Sequence, residues 1–362
     1  MKKKIFAVSD IHGHCRQLKN ALDEAGFSSE NDTHLLLVCG DLFDRGNENR
    51  DVLNFLNSVQ NKVLIRGNHE DILSRVLREK RLVKMDYYNG LDRTVFDFFG
   101  KDVLMKNGIL NFEGKEAVLE ELHTLLSGMY DYFETEHYIF THGWLPVEWN
   151  DMGESILSED FRHARPAKWE RARFAEWYAM YRNGLTVPGK TVVCGHRASA
   201  FGYLFDQTRK ENDSSVFLHP GIAAIDALTV QSGRVNVFVV EEDISFSTHE
   251  MMLKTEPFSQ MKCGNKKAEL RLFDDKRKKL RVGDEILFTH SENTSETISA
   301  KIIGLHYFYH FDAISWDFEK KDLGIPENAE SISSYMKKFY SDDAVWEYGA
   351  LVIRLQILNG IQ

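Results

Sequence analysis

The sequence predicts an α/β protein with a smaller β-rich second domain, and three observations carry that reading. Short apolar runs alternate with helical patterns along roughly the first 240 residues, as a sheet layered with helices requires. The 362 residues exceed what one hydrophobic core usually organises. After about residue 243 the pattern changes to strand-like runs with short connections. The expected domains are residues 1–243 and 248–362.

Five runs open as buried strands: KIFAVSD, THLLLVCGD, KVLIRGNHE, HYIFTHG and TVVCGH. Each then ends in Gly, Asp, Asn or His. Apolar residues at helical spacing fill the gaps, as in CRQLKNALDEAG and RDVLNFLNSVQ. Residues 71–136 and 150–188 read as longer, mostly helical insertions, expected to wall a pocket above the strand ends. GIAAIDALTV and RVNVFVVEE read as closing strands of the first domain. HEMMLKTEPF, KKAELRLFDDKRKKLRVGDEILF, SAKIIGLHYF and YGALVIRLQIL supply the strands of the second.

Composition narrows the class. With 43% hydrophobic and 28% charged residues the chain reads as an ordinary globular protein. A net charge of -10 argues against a protein that coats nucleic acid over its whole surface, while leaving room for a local basic site. Cys15, Cys39, Cys194 and Cys263 are far apart and form no CxxC pair, which argues against a zinc knuckle or a disulfide scaffold. No apolar stretch approaches the ~18 residues that span a bilayer. The start, MKKKIFAVSDIHGH, turns polar too soon for a signal-peptide core. A cytoplasmic protein with reduced thiols and no membrane partner is expected.

The strand ends carry the chemistry. Asp10 and His12 stand two residues apart beyond the first run, a spacing expected to point both side chains one way. Asp41 follows the second run, with Asp44 and Arg45 just after it. Asn68 and His69 follow the third, His142 the fourth and His196 the fifth. In an α/β sheet the carboxyl ends of strands share one rim, so these residues are expected to meet. Asp, His and Asn without thiolate suit two divalent first-row ions, Mn²⁺, Fe²⁺ or Zn²⁺. Asp41, lying between the two sets, is the natural bridging carboxylate. Two such ions roughly 3.5–4 Å apart activate a water and clamp the oxygens of an in-line phosphoryl transfer. A lone His after a strand is usually structural, and Gly-Asp is a common turn. Five such ends in order are not ordinary.

SDIHGH, GDLFDRG, RGNHE, THGW and CGH, in this order and spacing, resemble the phosphoprotein phosphatase branch of the calcineurin-like metallophosphoesterases. That pattern is GDxHG, GDxxDRG, GNHE, HG and GH, and the likeness covers about residues 3–240. It implies a calcineurin-like metallophosphoesterase β-sandwich flanked by helices. It also implies that Asp10 and His12 hold one metal, that Asp41 bridges, and that Asn68, His142 and His196 hold the other. His69 would protonate the leaving oxygen, oriented by Asp44. Arg45 would grip phosphate with its planar fork. Gly67 is expected to let the chain turn sharply, and Arg66, Glu70 and Asp71 to organise the loop. The family's second phosphate-binding arginine falls between the last two His motifs, where Arg171 is preferred to Arg173. Ser9 replaces the family's Gly, with no loss of metal expected. Trp144 stands where a small residue is usual and is expected to reshape the pocket floor.

Residues 248–362 resemble an ASCH domain, a small PUA-like β-barrel. Its G-x-K-x-x-E-x-R motif stands as Gly264, Lys266, Glu269 and Arg271, implying an RNA- or nucleotide-recognising cleft. Between Lys262 and Arg281 there are nine basic and three acidic residues, the local footprint of a phosphate-rich ligand. The KRKK within it reads equally as a solvated turn. The resemblances together imply a serine/threonine phosphoprotein phosphatase with an accessory RNA- or nucleotide-recognising domain. The alternative is a diadenosine polyphosphate, nucleotide or RNA-end phosphohydrolase. A third reading, an RNA-binding protein on a phosphatase-like scaffold, is opposed by the complete ligand set and the intact His69–Asp44 pair.

Overall fold

A computed structural model describes residues 2–152, 154–158 and 160–359. They form two compact units: Met1–Leu145, Trp149–Leu157 and Glu170–Ile244 in one, Pro146–Glu148, Ser158–Trp169 and Ser245–Gln362 in the other.

In the first unit the apolar runs build two sheets. One has the order Phe238–Asp243, Lys2–Val8, His34–Cys39, Lys62–Ile65, with the last three strands parallel. The other has the order Phe133–Glu134, Tyr138–Phe140, Thr191–Cys194, Ile222–Ala224, Phe217–His219, with the middle three parallel. The single rim expected from the sequence is therefore corrected: the five ligand-bearing ends are shared between two sheets. Parallel strands covered on both faces read as unbroken apolar runs, and Ile5–Val8 and Leu36–Cys39 are fully buried. Helices Cys15–Glu24 and Asn49–Ser58 lay Leu18, Leu22, Val52, Leu53 and Leu56 on Phe6, Val8, Leu36 and Val38. The insertion 71–136 joins the same core through Leu73, Val76, Val95, Phe98, Leu122 and Leu126.

Close approach between strand ends explains two glycines. Gly67 has an ordinary extended φ of -95°, so left-handed freedom is not what the position needs. A Cβ there would strike Asp41 Oδ1 and lie 2.6 Å from the Asp41 nitrogen. The sharp turn expected of Gly67 is thus replaced by a steric requirement. Gly195 is similar: a Cβ would fall on the Ser9 hydroxyl and the Asp10 carboxylate.

The second unit is a five-stranded sheet of order Thr248–Leu253, Glu285–His290, Thr297–Phe308, Ala350–Asn359, Ala268–Leu272. Register shifts between Ser299 and Ala300 and between Ile302 and Gly304 help curl it into a half-barrel. Its two edge strands do not pair with each other, but Arg271 on one donates to the Met252 carbonyl on the other at 3.2 Å. Ser158–Trp169 belongs to this unit through named bonds. His306 Nδ1 donates to the Ala164 carbonyl at 2.8 Å, and Arg165 donates twice to Asp317 Oδ2, at 2.9 and 2.6 Å.

Gly67→Ala is expected to destabilise the protein by about 1–3 kcal/mol, the usual penalty of overpacking a tight site. Denaturant unfolding measures this, and a stability within error of the parent would remove the steric account.

Candidate metal centre

The ligand-type residues converge because the backbone turns abruptly where the strands stop. Among the described residues nine non-glycine positions have positive φ, and six are Asp10, His12, Asp41, Asp44, Arg45 and His196. Such conformations cost about 1–3 kcal/mol each and persist only where the surroundings enforce them. The first strand ends at Val8, so left-handed turns, and not the two-residue strand repeat, bring Asp10 and His12 together. His12 Nε2 lies 4.0 Å from Asp10 Oδ1.

Asp41 sits at the middle. Its Oδ2 is 3.7 Å from His12 Nε2 and 3.8 Å from His69 Nε2, while its Oδ1 is 3.4 Å from His142 Nε2. Asp41, His142 and His196 form one group with ligand atoms all within 4.8 Å, and His12, Asp41 and His69 form another. Asn68 Oδ1 lies 2.9 Å from His142 Nε2. All are buried or nearly so.

The donor chemistry fits a pair of cations. His12 Nδ1–H donates to the Phe43 carbonyl at 2.9 Å, and His142 Nδ1–H to the Cys39 carbonyl at 2.7 Å. Each bond fixes the tautomer and turns the Nε2 lone pair inward. His142 Nε2 then meets Asn68 Oδ1 and Asp41 Oδ1 as acceptor against acceptor, an arrangement that calls for a positive charge between them. His196 Nε2 is buried without a hydrogen-bond partner. Four imidazoles, His142 foremost, overcome burial and hold Asp41 below the ordinary carboxylate range. Burial, then Asp41, pushes Asp10 up to about 7, and burial with His142 takes His196 down to about 3.

His69 is held as an acid would be. Its Nδ1 lies 2.5 Å from Asp44 Oδ2, and Asp44 also accepts from the Thr94 hydroxyl at 2.5 Å. Burial opposes the imidazolium, but Asp41 and Asp44 raise His69 to about 9. Arg45 donates to His12 Nε2 at 3.0 Å, and its other terminal nitrogen lies 3.1 Å from His69 Nε2. Ser9 donates to Asp10 Oδ2 at 2.5 Å, so the serine steadies the carboxylate.

The surrounding loop is anchored by Glu70, whose carboxylate accepts from the backbone N–H of Asp41, Leu42 and Gly67 at 3.0, 2.9 and 2.8 Å. Arg66 pairs with Asp71 and donates to the Leu126 carbonyl at 2.8 Å.

A cavity of about 370 Å³ opens on the cluster, touched by Asp10, Asp41, Arg45, Asn68, His69 and His196. The rest of its lining comes from 197–211, Asp226 and Leu228, so the insertions 71–136 and 150–188 do not wall it as expected. Arg171 is exposed and outside the cavity. Arg173 is buried, 2.7 Å from Asp71 Oδ2 and paired also with Asp131. The arginine that does line the cavity is Arg197, which sequence reasoning missed although it directly follows His196. Asp226 was also missed; the run GIAAIDAL ends in Asp as the flagged runs do, but it was read only as a closing strand. Trp144 does not form the floor: its ring is fully buried, donating to the Leu185 carbonyl at 3.0 Å.

A calcineurin-like phosphoesterase family model matches residues 3–212, more than half of the chain. The chain belongs to the calcineurin-like phosphoesterases. Members of this family use a binuclear divalent metal centre, which suits the two groups sharing Asp41. An ASCH domain model matches residues 251–358 of the same calcineurin-like phosphoesterase. The chain is 31% identical over 187 residues to "Shewanella-like protein phosphatase 1" of Plasmodium berghei, covering 46% of this chain and 47% of that protein. It is 27% identical over 155 residues to "Bis(5'-nucleosyl)-tetraphosphatase, symmetrical" of Coxiella burnetii, covering 43% and 46%. The matches thus span about half the length of these relatives. A crystal structure of a cold-active protein-tyrosine phosphatase of a psychrophilic Shewanella is 17% identical, covering 64% of this chain and 74% of that one, with a TM-score of 0.39. No helix among the described residues is long and apolar enough to cross a membrane.

Arg173→Ala removes the buried cation that Asp131 shares with Asp71, while Asp71 keeps Arg66, and is expected to cost about 1–3 kcal/mol. Arg171→Ala, at an exposed position, is expected to stay within about 0.5 kcal/mol of the parent. Parallel chemical denaturation of both variants checks the contrast, and equal effects would contradict it.

Proposed function

We propose that this protein is a two-metal-dependent phosphoric monoester hydrolase, with Asp10 and His12 at one metal, Asp41 bridging, and Asn68, His142 and His196 at the other. The observation that carries this is the set of inward-facing lone pairs on His12, His142 and Asn68, gathered around one carboxylate. The mixed oxygen and nitrogen donors suit Mn²⁺, with Fe²⁺ or Zn²⁺ also compatible. When bound, the cations neutralise phosphate charge and supply an acidified water.

The chain's own groups do the rest. His12 Nε2 has one lone pair, so when it holds a cation it would no longer accept from Arg45. The freed guanidinium can then present two parallel N–H groups to phosphate oxygens. His69, clamped at Nδ1 by Asp44, turns Nε2 toward the cavity and delivers a proton to the departing oxygen. Thr94 holds the far oxygen of Asp44, which fixes the ring plane.

The motif set favours a serine/threonine phosphoprotein as substrate, by resemblance. The lining of the cavity favours a second reading, a nucleotide or RNA-end phosphohydrolase, because Phe201 and Tyr203 line the same cavity as His69. Buried, unpaired Cys15, Cys39 and Cys194 accord with a cytoplasmic location.

The ASCH unit is proposed to recognise RNA or a nucleotide. It contains a cavity of about 680 Å³ lined by Lys266, Glu269, Arg271, Lys276, Arg277 and Tyr340 among others. Lys266 is committed to the Leu323 carbonyl at 2.6 Å and to Glu269 at 3.3 Å. Of the KRKK run, Lys276 and Arg277 line this cavity, while Lys278 pairs with Asp275 at 3.0 Å.

Asp41→Asn and His69→Asn are each expected to lower Mn²⁺-dependent phosphate release by at least about 10²-fold. Only Asp41→Asn should also weaken Mn²⁺ binding measured by calorimetry. Equal metal loss in both would contradict the assigned roles. Lys276→Ala is expected to weaken single-stranded RNA binding and to reduce the slope of log K against log salt by about one. An unchanged salt slope would leave the cavity without support as an RNA site.

A further inference from the structure

Phe201 and Tyr203 stand five and seven residues beyond His196, on the short helical turn Ser199–Leu204. The turn is fixed at its start. Ser199 N–H donates to the Asp226 carbonyl at 2.8 Å, and the Ser199 hydroxyl to the Ser214 carbonyl at 3.0 Å. Gly202 lies so close to the Phe217 ring that a Cβ would enter it. Tyr178 stacks on Phe201 with centroids 4.5 Å apart and planes 30° apart, and Tyr203 continues the series at 6.4 Å and 29°. Tyr178, which does not line the cavity, braces Phe201, so that Phe201 and Tyr203 form a cavity wall whose orientation is set before any ligand arrives. Ala198 and Ala200 keep the space beside it open, and the wall and the ligand cluster line one cavity.

Two charged groups complete the edges. Arg197, steadied by Glu176 at 3.0 Å, lines the cavity together with His196 and the wall. Glu211 lines the same cavity with no basic residue paired to it among the described residues.

We propose that this wall is the leaving-group subsite of the phosphoesterase and that it selects a nucleoside phosphate. The proposal rests on the phosphatase reading of the metal cluster. The base stacks on Phe201 and Tyr203, a contact every nucleobase can make through its π-face. Glu211 accepts from exocyclic N–H groups of the base, and Arg197 supplies a second cation for phosphate oxygens beside Arg45. Phosphoserine and phosphothreonine offer the wall no ring. Phosphotyrosine offers a ring but no N–H donor for Glu211. A cavity of about 370 Å³ is at the lower end of ligand-pocket sizes and suits one mononucleotide unit better than an extended peptide.

The test uses the full-length protein with Mn²⁺ and compares adenosine 5′-monophosphate, glycerol 2-phosphate, phosphotyrosine peptide and phosphoserine peptide. Phe201→Ala is expected to lower the ratio of kcat/KM for the nucleotide over glycerol 2-phosphate about tenfold, chiefly through KM, and Phe201→Tyr to restore it. An unchanged ratio overturns the proposal, as does faster turnover of either peptide than of the nucleotide by the parent. If none of the four esters is hydrolysed, the phosphatase reading itself fails. Calorimetric titration with adenosine 5′-monophosphate then judges the subsite separately. Binding lost in Phe201→Ala supports the subsite, and no binding to the parent overturns it.

Discussion

One carboxylate organises the first unit. Asp41 is fully enclosed, yet it faces the nitrogens of His12, His69 and His142 within 3.8 Å. A buried anion is tolerable only where positive charge or donors surround it. Here His69, paired with Asp44, is the imidazole held as a cation, while the carbonyl bonds of His12 and His142 point their remaining lone pairs back at the carboxylate. Acceptors that face one another in this way accommodate a pair of divalent cations. Everything nearby serves to keep that carboxylate in place: Glu70 receives its own N–H, and Asp41 Oδ1 receives the N–H of His69 at 3.0 Å.

Holding so many polar groups together takes strain and close contact. Six left-handed non-glycine residues sit within this one cluster. Each would relax to ordinary backbone if the loops were free, so the rigidity has to come from outside the cluster. Part of it comes from Arg173, which ties Asp71 on the Asn68–Glu79 helix to Asp131. Another part comes from Gly67 and Gly195, where the absence of a Cβ lets one loop lie against another. The clustered Asp, His and Asn side chains are thus placed by neighbours that do not line the cavity.

The two cavities have different characters. The one at the metal cluster is small and has a ring wall on one side. The one in the ASCH unit is larger, and its Lys266–Glu269–Arg271 chain is internally paired. That internal pairing satisfies the buried charges before any ligand binds, so exposed Lys276 is better placed to answer a phosphate than buried Lys266.

The sequence by itself singled out the ligand-type residues that the fold gathers into one cluster. Apolar runs ending in Asp10, Asp41, Asn68, His142 and His196 were legible because a buried strand and a polar terminus differ sharply in composition. The ASCH strands were legible for the same reason. Tertiary structure alone decided how the ends meet: across two sheets, through left-handed turns that no two-residue periodicity encodes. It also decided which arginine faces the cavity. Arg171, Arg173 and Arg197 are chemically alike in sequence, and only burial beside Asp71 and Asp131 separates a structural guanidinium from Arg197 at the cavity. Trp144 turned away for a similar reason, since its N–H found the Leu185 carbonyl. Side-chain identity is local information, whereas the direction a side chain faces depends on partners distant in the chain.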